Sequence, residues 1–326
     1  MNTRSKPQSR ANVLRRVIPR SVRRKIPKPL RRFLLRIYPA VPPLSSRYDR
    51  ATQSRIVVLP LPVARGPLRW RQKQFALTLR VPGTFWVPRV LGEKGLGEYE
   101  PEALSVFLAL LENAGRRAVF FDVGSNVGPF CLVAAAVSSA RVVAFEPAPA
   151  TADALRAIKI DNDLKISVEQ MALGDHDGES QLYLSMQSDA SNSLQADFRE
   201  WQETVAVRVE TLDGYSARTG LVPSLLKIDT EATEPSVLRG AHRLLDGPKP
   251  PIICEVLPGR TEHDLEKIFG SYGYAFYRIG ENGTLERRSQ IEGDQEYRFR
   301  DWLFSAQPLT DRFARAVRRW NEALTP

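Results

Sequence analysis

The chain has 326 residues, 43% of them hydrophobic, with 20 Gly and 24 Pro, which suffices for one sizeable α/β core with appendages. Its longest apolar runs, such as LVAAAV at 132–137, fall far short of the roughly 18 residues that span a bilayer, so no transmembrane helix is expected. The formal net charge of +10 is local: residues 1–48 hold 14 Lys and Arg and no acid, while the remaining 278 carry 33 basic and 37 acidic groups, a balance of −4.

Residues 1–48 form a basic arm in which Lys and Arg alternate with Leu14, Val17, Ile18, Val22, Ile26, Leu30, Phe33, Leu34 and Ile37. Pro19, Pro27 and Pro29 break it, which predicts two or three short amphipathic helices. The arm lacks the apolar core of about 7 to 15 residues found in secretory signals, and its Arg-rich, acid-free start also resembles an organellar transit peptide. Two other readings stand beside that one. Residues 1–38 would lie on an anionic membrane surface at about 1 kcal/mol per basic residue, or the arm is a solvated tail without a partner. The expected location is cytoplasmic, peripheral to a membrane if the arm binds one. Cys131 and Cys254 sit in apolar surroundings without metal or disulfide spacing and read as buried thiols in a reducing compartment.

Residues 49–97, rich in Pro, Arg and aromatic groups with a strand-like FALTLRV at 75–81, read as a lead-in segment packing on the fold. Regular periodicity begins at 98. It predicts a helix at 101–113, a strand at 118–123, a helix at 127–138, a strand at 141–146 and a helix at 150–160. Strands follow at 166–172, 180–185, 204–211 and 224–229, then a helix at 234–245, a strand at 251–256, a helix at 262–271, and strands at 274–279 and 301–306. Strands alternating with helices of this length imply βαβ units and a mostly parallel sheet in a domain covering 98–326.

The segment VFFDVGSNVG at 119–128 runs an apolar strand into an acid and a glycine-bracketed turn, and 18 residues past Gly128 a second apolar strand ends on Glu146. In a doubly wound sheet a nucleoside ligand lies across such strand ends. Gly124 and Gly128 permit sharp bending and close backbone approach, and Glu146 is placed to accept from two ribose hydroxyls. The turn reads G-S-N-V-G and lacks the middle glycine of G-x-G-x-x-G, which serves a pyrophosphate. With Asp122 ahead of the first glycine, it suits the ammonium group of S-adenosylmethionine better than a dinucleotide. The plainer reading is a tight strand-to-helix turn beside an exposed strand-end Glu.

Taken together, DVGSNVG, VVAFEPAPATADALRAIKIDN, MALGDHDGESQLYLS, SNSL, VETLDGY, LLKIDTEATEPSVLRGAHRLL and PIICEV resemble, in order and spacing, the FkbM family of S-adenosylmethionine-dependent methyltransferases. The resemblance covers about 98–257, with GEYEP at 97–101 similar to the block preceding the fold. It implies a Rossmann-like, doubly wound, mostly parallel seven-stranded sheet of the methyltransferase type. It also implies that Asp122, Gly124, Asn126 and Gly128 hold the methionine end of the cofactor and Glu146 its ribose. Ala172 and Leu173, with Asp175 nearby, would flank the adenine, although Asp175 also reads as part of an ordinary ALGD turn. Glu100, Ser125 and Pro147 complete the expected cofactor set. The chain departs from the family at Ala232, where Gly is common, and at Thr233, where a small apolar residue is usual; if the glycine serves positive φ or close substrate approach, the added methyl narrows the site.

A sulfonium methyl group is already activated, so the protein must align an acceptor oxygen and remove a proton. Asp229 and Glu231 follow the strand that faces the methyl group in this architecture and Glu255 ends the next; strand-end carboxylates serve as bases when burial raises their pKa. Solvent-exposed strand-end acids are the plainer reading of all three. His176, His242 and His263 show no ligand spacing, and no metal is expected. The expected activity is methyl transfer to a hydroxyl of a small molecule or glycan, lipid-linked if the arm binds membranes. One alternative is an RNA methyltransferase whose arm grips phosphates. Against nucleic acid, the chain has no N-P-P-Y or D-P-P-Y block, and only Phe33 and Tyr38 offer stacking rings in the first 40 residues. The other alternative is a cofactor-binding protein without turnover, motivated by Ala232 and Thr233.

Overall fold

The structure is a computed structural model and describes residues 42–63, 72 and 74–325. Most of the basic arm, including the 1–38 segment read as membrane contact, lies outside the described residues. The lead-in holds β1 (Ser45–Asp49), β2 (Ser54–Pro60), β3 (Ala76–Pro82) and α1 (Trp86–Lys94). Next come α2 (Pro101–Ala114), β4 (Val119–Val123), α3 (Pro129–Val137), β5 (Arg141–Phe145), α4 (Pro149–Asp161), β6 (Ile166–Glu169), β7 (Ala172–Gly174), β8 (Gly178–Ser185) and β9 (Trp201–Thr211). The remainder is α5 (Leu212–Thr219), β10 (Leu225–Ile228), α6 (Glu234–Arg239), α7 (His242–Asp246), β11 (Ile252–Glu255) and α8 (Glu262–Ser271), then β12 (Ala275–Ile279), β13 (Leu285–Arg288), β14 (Asp301–Ser305) and α9 (Asp311–Leu324).

Eight strands form one sheet in the order β13-β12-β14-β11-β10-β4-β5-β6. The five from β11 to β6 are parallel, whereas β14 pairs antiparallel with β11 and β12, and β13 with β12. β4 comes first in sequence yet sits inside the sheet: the chain lays β5 and β6 on one side of it and β10 and β11 on the other. That reversal of direction opens a crevice at the carboxyl ends of β4 and β10. The sheet is doubly wound and mostly parallel, with one strand beyond the expected seven. The extra strand, β13, is a largely exposed edge hairpin of sequence LERR, too polar to register as a strand by its pattern.

The parallel strands are apolar on both faces because both are covered. Phe120, Val142, Leu225 and Ile253 pack under α2, α3, α4 and α9, whereas their neighbours Phe121, Val143, Leu226 and Ile252 pack under α5 to α8. Three of the first set of helices start on a proline, Pro101, Pro129 or Pro149, at a position where the missing N–H has no helical partner to lose. α9 is fastened to α2 through Glu112, whose two oxygens each accept from Arg319 Nη2 at 2.8 Å while Oε2 also accepts from Trp320 Nε1 at 3.1 Å.

Two expected elements are divided. The strand at 166–172 becomes β6 in the main sheet and β7 in a separate sheet of order β7-β9-β8, because the turn closed by Met171 N–H on Glu169 O redirects the chain. The helix at 234–245 breaks into α6 and α7 at Gly240, where a Cβ would sit 2.0 Å from the carbonyl oxygen of Gly174. In the lead-in, β1, β2 and β3 make an antiparallel sheet that docks on the end of α4. There Thr78 N–H donates to Asn162 Oδ1 at 2.8 Å, and Asn162 Nδ2 returns a bond to Thr78 O at 2.7 Å. Cys131 and Cys254 are buried free thiols. No helix among the described residues is long and apolar enough to cross a membrane.

Candidate functional site

The turn after β4 is built by backbone and carboxylate together. Gly124 N–H and Ser125 N–H both donate to Phe145 O at 3.0 Å, which seats the turn on the end of β5. Asn126, at φ +50°, donates its N–H to Glu146 Oε2 at 2.8 Å, and Ala148 N–H donates to Glu146 Oε1 at 2.9 Å. Each oxygen of Glu146 thus uses one lone pair on the chain and keeps another for a ligand. Asp122 accepts from Cys131 N–H at 3.0 Å at the start of α3. Burial raises the pKa of Asp122 to about 6 and that of Glu146 to about 7.

Of the residues singled out from the sequence, Glu100, Asp122, Gly124, Ser125, Asn126, Glu146, Pro147, Ala172, Leu173, Asp229 and Glu231 line one cavity at the crevice. The space between these walls amounts to about 1000 Å³, part of it open solvent. Two of the expected residues lie elsewhere. Asp175 lies outside this wall, tied on the surface to His176 at 3.0 Å and Arg239 at 3.4 Å, because β7 turns away into the small sheet. Gly128 also lies outside it, at φ +86° and close against α4, where a Cβ would meet Leu155 at 2.7 Å. Glu255 sits behind the cavity, held by Arg300.

Beyond β10 the acids gather. One carboxylate oxygen from each of Asp229, Glu231 and Glu255 lies within 4.8 Å of the others, and Glu100 and Asp301 face the same cations. Lys227 Nζ donates to Asp229 Oδ2 at 2.8 Å and Asp301 Oδ1 at 3.2 Å, and lies 4.9 Å from the centre of the Phe130 ring. Such close carboxylates cannot all ionise. Although burial opposes it, Lys227 and Arg300 hold Asp229 below its usual value and so ionised. Burial raises Glu231 to about 8 and Glu100 to about 7, and lifts Glu255 well above the carboxylate range. The three-acid spacing suits a hard cation, but Lys227 and Arg300 already bind an oxygen of Asp229 and of Glu255.

Backbone strain concentrates here as well. Glu100, Asn126, Glu231 and Ala232 all have positive φ, each an arrangement that costs about 1–3 kcal/mol and survives where surrounding contacts impose it. Ala232, at φ +80°, does stand at a left-handed position, and its buried methyl group packs with Phe198 and Leu257.

Four contributors were not singled out from the sequence. Lys227 carried a signal: a lone charge inside an apolar parallel strand needs a buried partner. Arg300 and Trp86 did not, since their positions depend on β14 entering between β11 and β12 and on how the lead-in docks. Asp189 comes from the segment joining β8 to β9, which crosses the cavity. Its Oδ1 accepts from Trp86 N–H at 2.6 Å and its carbonyl from Asn126 Nδ2 at 3.1 Å. Farther along, Ser193 Oγ donates to Glu231 O at 2.6 Å and Gln195 Nε2 to Ala232 O at 2.7 Å. Asp189 Oδ2 and Ser125 Oγ are buried in the cavity wall without a hydrogen-bond partner. Unpaired polar atoms of this kind fit a ligand rich in donors and acceptors.

Residues 122–276 match the family model of the methyltransferase FkbM domain. Among solved structures, a methyltransferase FkbM from Methylobacillus flagellatus KT is 17% identical with a TM-score of 0.40, over 58% of this chain and 44% of that one. The T. Thermophilus 16S rRNA N2 G1207 methyltransferase, in complex with AdoMet and guanosine, is 15% identical with a TM-score of 0.42, over 78% and 51%. A SAM-dependent O-methyltransferase from Thermotoga maritima is 11% identical with a TM-score of 0.33, over 64% and 66%. The chain thus spans about half the length of the first two. Comparison with curated proteins gives no match.

Proposed function

We propose that this chain, whose residues 122–276 form an FkbM methyltransferase domain using S-adenosylmethionine, methylates a hydroxyl oxygen of a small molecule or glycan. The observation that carries this reading is the meeting of the nucleoside crevice with a half-buried carboxylate group whose members differ in protonation. Glu146 would accept from the ribose hydroxyls with its remaining lone pairs. Pro147, Ala172 and Leu173 would flank the adenine, and Asp122, Asn126 and Glu100 the methionine end. The orphaned Ser125 Oγ and Asp189 Oδ2 support the fit, because each gains a partner when a polar ligand fills the cavity.

The cofactor supplies an activated methyl carbon, so the protein's tasks are alignment and removal of one proton. We assign the proton to Glu231. Its pKa of about 8 places it in the working range of a general base, while Asp229, held ionised by Lys227, is the weaker base and orients the acceptor. As the acceptor oxygen takes the methyl group, its proton passes to a Glu231 carboxylate oxygen.

The test is incubation with methyl-labelled S-adenosylmethionine and a cell extract, followed by hydrolysis of the labelled product. Label in an ether that withstands both mild acid and base supports the assignment. Label in RNA, on nitrogen or in a base-labile ester contradicts it, and label in no acceptor marks a binding protein without turnover.

A further inference from the structure

A second cavity adjoins the first. The two share Trp86, Tyr99, Glu100 and Arg300 as common wall, so one continuous surface leads from the carboxylate group outward between α1, α2 and the loop before β14. Nothing in the cofactor assignment uses the outer part.

Its chemistry is selective. Trp86 and Tyr297 are 39% and 47% exposed, large aromatic rings left in solvent. Trp86 is pinned through its N–H to Asp189. Tyr297 sits at φ +55° on a loop that Asp294 fastens by accepting from Glu296, Arg298 and Phe299 N–H at 3.2, 3.1 and 2.9 Å. A non-glycine residue held in that conformation costs free energy, and such strain collects at ligand sites. Around the rings, Lys94, Arg298 and Arg300 stand against Glu98, Glu100, Glu102 and Asp301.

This near balance of charge decides between ligand classes. Nucleic acid or another polyphosphate needs a surplus of cations, and here acids outnumber them four to three. A lipid chain needs a mostly apolar wall, and this one carries seven acidic and basic side chains. A sugar ring matches both features: its C–H face lies on aromatic faces, and its hydroxyls donate to carboxylates and accept from Lys and Arg.

We propose that this cleft is the acceptor site and that it takes a neutral pyranose ring between Trp86 and Tyr297, directing one hydroxyl past Glu100 and Arg300 toward Glu231. The assignment rests on the transferase reading above, and names where and what the acceptor is.

The test is saturation-transfer NMR on the full chain loaded with S-adenosylhomocysteine, using the methyl pyranosides of glucose, galactose, mannose and rhamnose as probes. At least one should receive saturation on its ring protons. The signal should fall five-fold or more in Trp86→Ala and in Tyr297→Gly, and persist in Tyr297→Phe. Tyr297→Gly should fold normally because glycine accepts the positive φ, and, since Tyr297 lies outside the cofactor cavity, it should leave S-adenosylmethionine affinity within two-fold. No transfer to any of the four, or transfer that both ring deletions leave intact, overturns the proposal. The two readings fail separately. A chain that binds the cofactor but no pyranoside refutes the cleft alone, and one that binds pyranosides but not the cofactor refutes the transferase assignment.

Discussion

Gly124 lies so close to Asp229 that a Cβ on the glycine would sit 1.7 Å from the carbonyl oxygen of the acid. The turn after β4 and the acid after β10 are therefore one unit, so under the proposed function the distance between cofactor and acceptor is set where the two strand ends touch. Gly124→Ala must push β10 away from β4 as well as accept a φ of +78°. Gly115, at φ +81° with nothing within 4 Å of its Cβ position, gives the control. Gly115→Ala should cost only the conformational penalty of about 1–2 kcal/mol. Gly124→Ala should cost clearly more in urea denaturation and weaken S-adenosylmethionine binding; equal losses would show that the contact does not constrain the site.

Ala232, the position where the sequence departs from the FkbM pattern it resembles, has the left-handed backbone that glycine favours. Ala232→Gly relieves about 1–2 kcal/mol of strain. It also removes a buried methyl worth about 0.8 kcal/mol and adds about 0.5–1 kcal/mol of chain entropy. The expected net change in stability is within about 1 kcal/mol of zero, a balance of these three terms. Cofactor affinity should be unchanged, so this alanine is compatible with a working site. A ten-fold rise in methyl transfer in the variant would instead show that the methyl group obstructs it.

Lys227 is buried between Asp229 and Asp301. Lys227→Met removes the cation that both acids hydrogen-bond, leaving Asp229 only the more distant Arg300, and breaking a buried pair from one side costs about 3–5 kcal/mol. It should also raise the pKa of Asp229, since the lysine is the largest influence holding it down. Chemical denaturation of the variant checks the first, and carboxylate NMR titration the second. A loss under 1 kcal/mol would mean that the lysine is not carrying these charges.

The ligand-free fold should lose stability as pH rises from about 5 to 8. Asp122 at about 6, Glu100, Glu146 and Glu234 at about 7 and Glu231 at about 8 keep protons in the folded chain after the unfolded chain, titrating near 3.8 to 4.5, has released them. The folded state then binds more protons, so its stability falls with rising pH. Glu146→Gln should flatten part of this slope. A melting temperature that climbs between pH 5 and 8 would contradict the burial of these acids.

What the sequence disclosed was local. The β4 turn and Glu146 were readable because strand, glycines and terminal acid lie within one βαβ unit, and 262–271 was read at its observed bounds because its amphipathic pattern is uninterrupted. The errors have long-range causes. Gly240 breaks a helix because Gly174, distant in sequence, presses on it, and residues 166–172 divide between sheets whose partners come from elsewhere in the chain. α9, despite its strongly amphipathic DRFARAVRRWNEAL, was missed beyond the last expected strand. The lead-in was legible only as FALTLRV, since its role emerges where Asn162 receives it and where Trp86 meets Asp189. Arg300 gave no signal because what it does depends on the neighbour that β14 acquires.

The central claim is that the crevice beside β4 holds S-adenosylmethionine by its ribose on Glu146. Isothermal titration of the full chain with S-adenosylmethionine, beside Glu146→Ala and with Asp175→Ala as a surface control, tests it most directly. The wild-type chain should bind, Glu146→Ala should lose affinity ten-fold or more, and Asp175→Ala should leave it unchanged. Equal affinity in the wild type and Glu146→Ala, with Glu146→Ala still folded by circular dichroism, would contradict it.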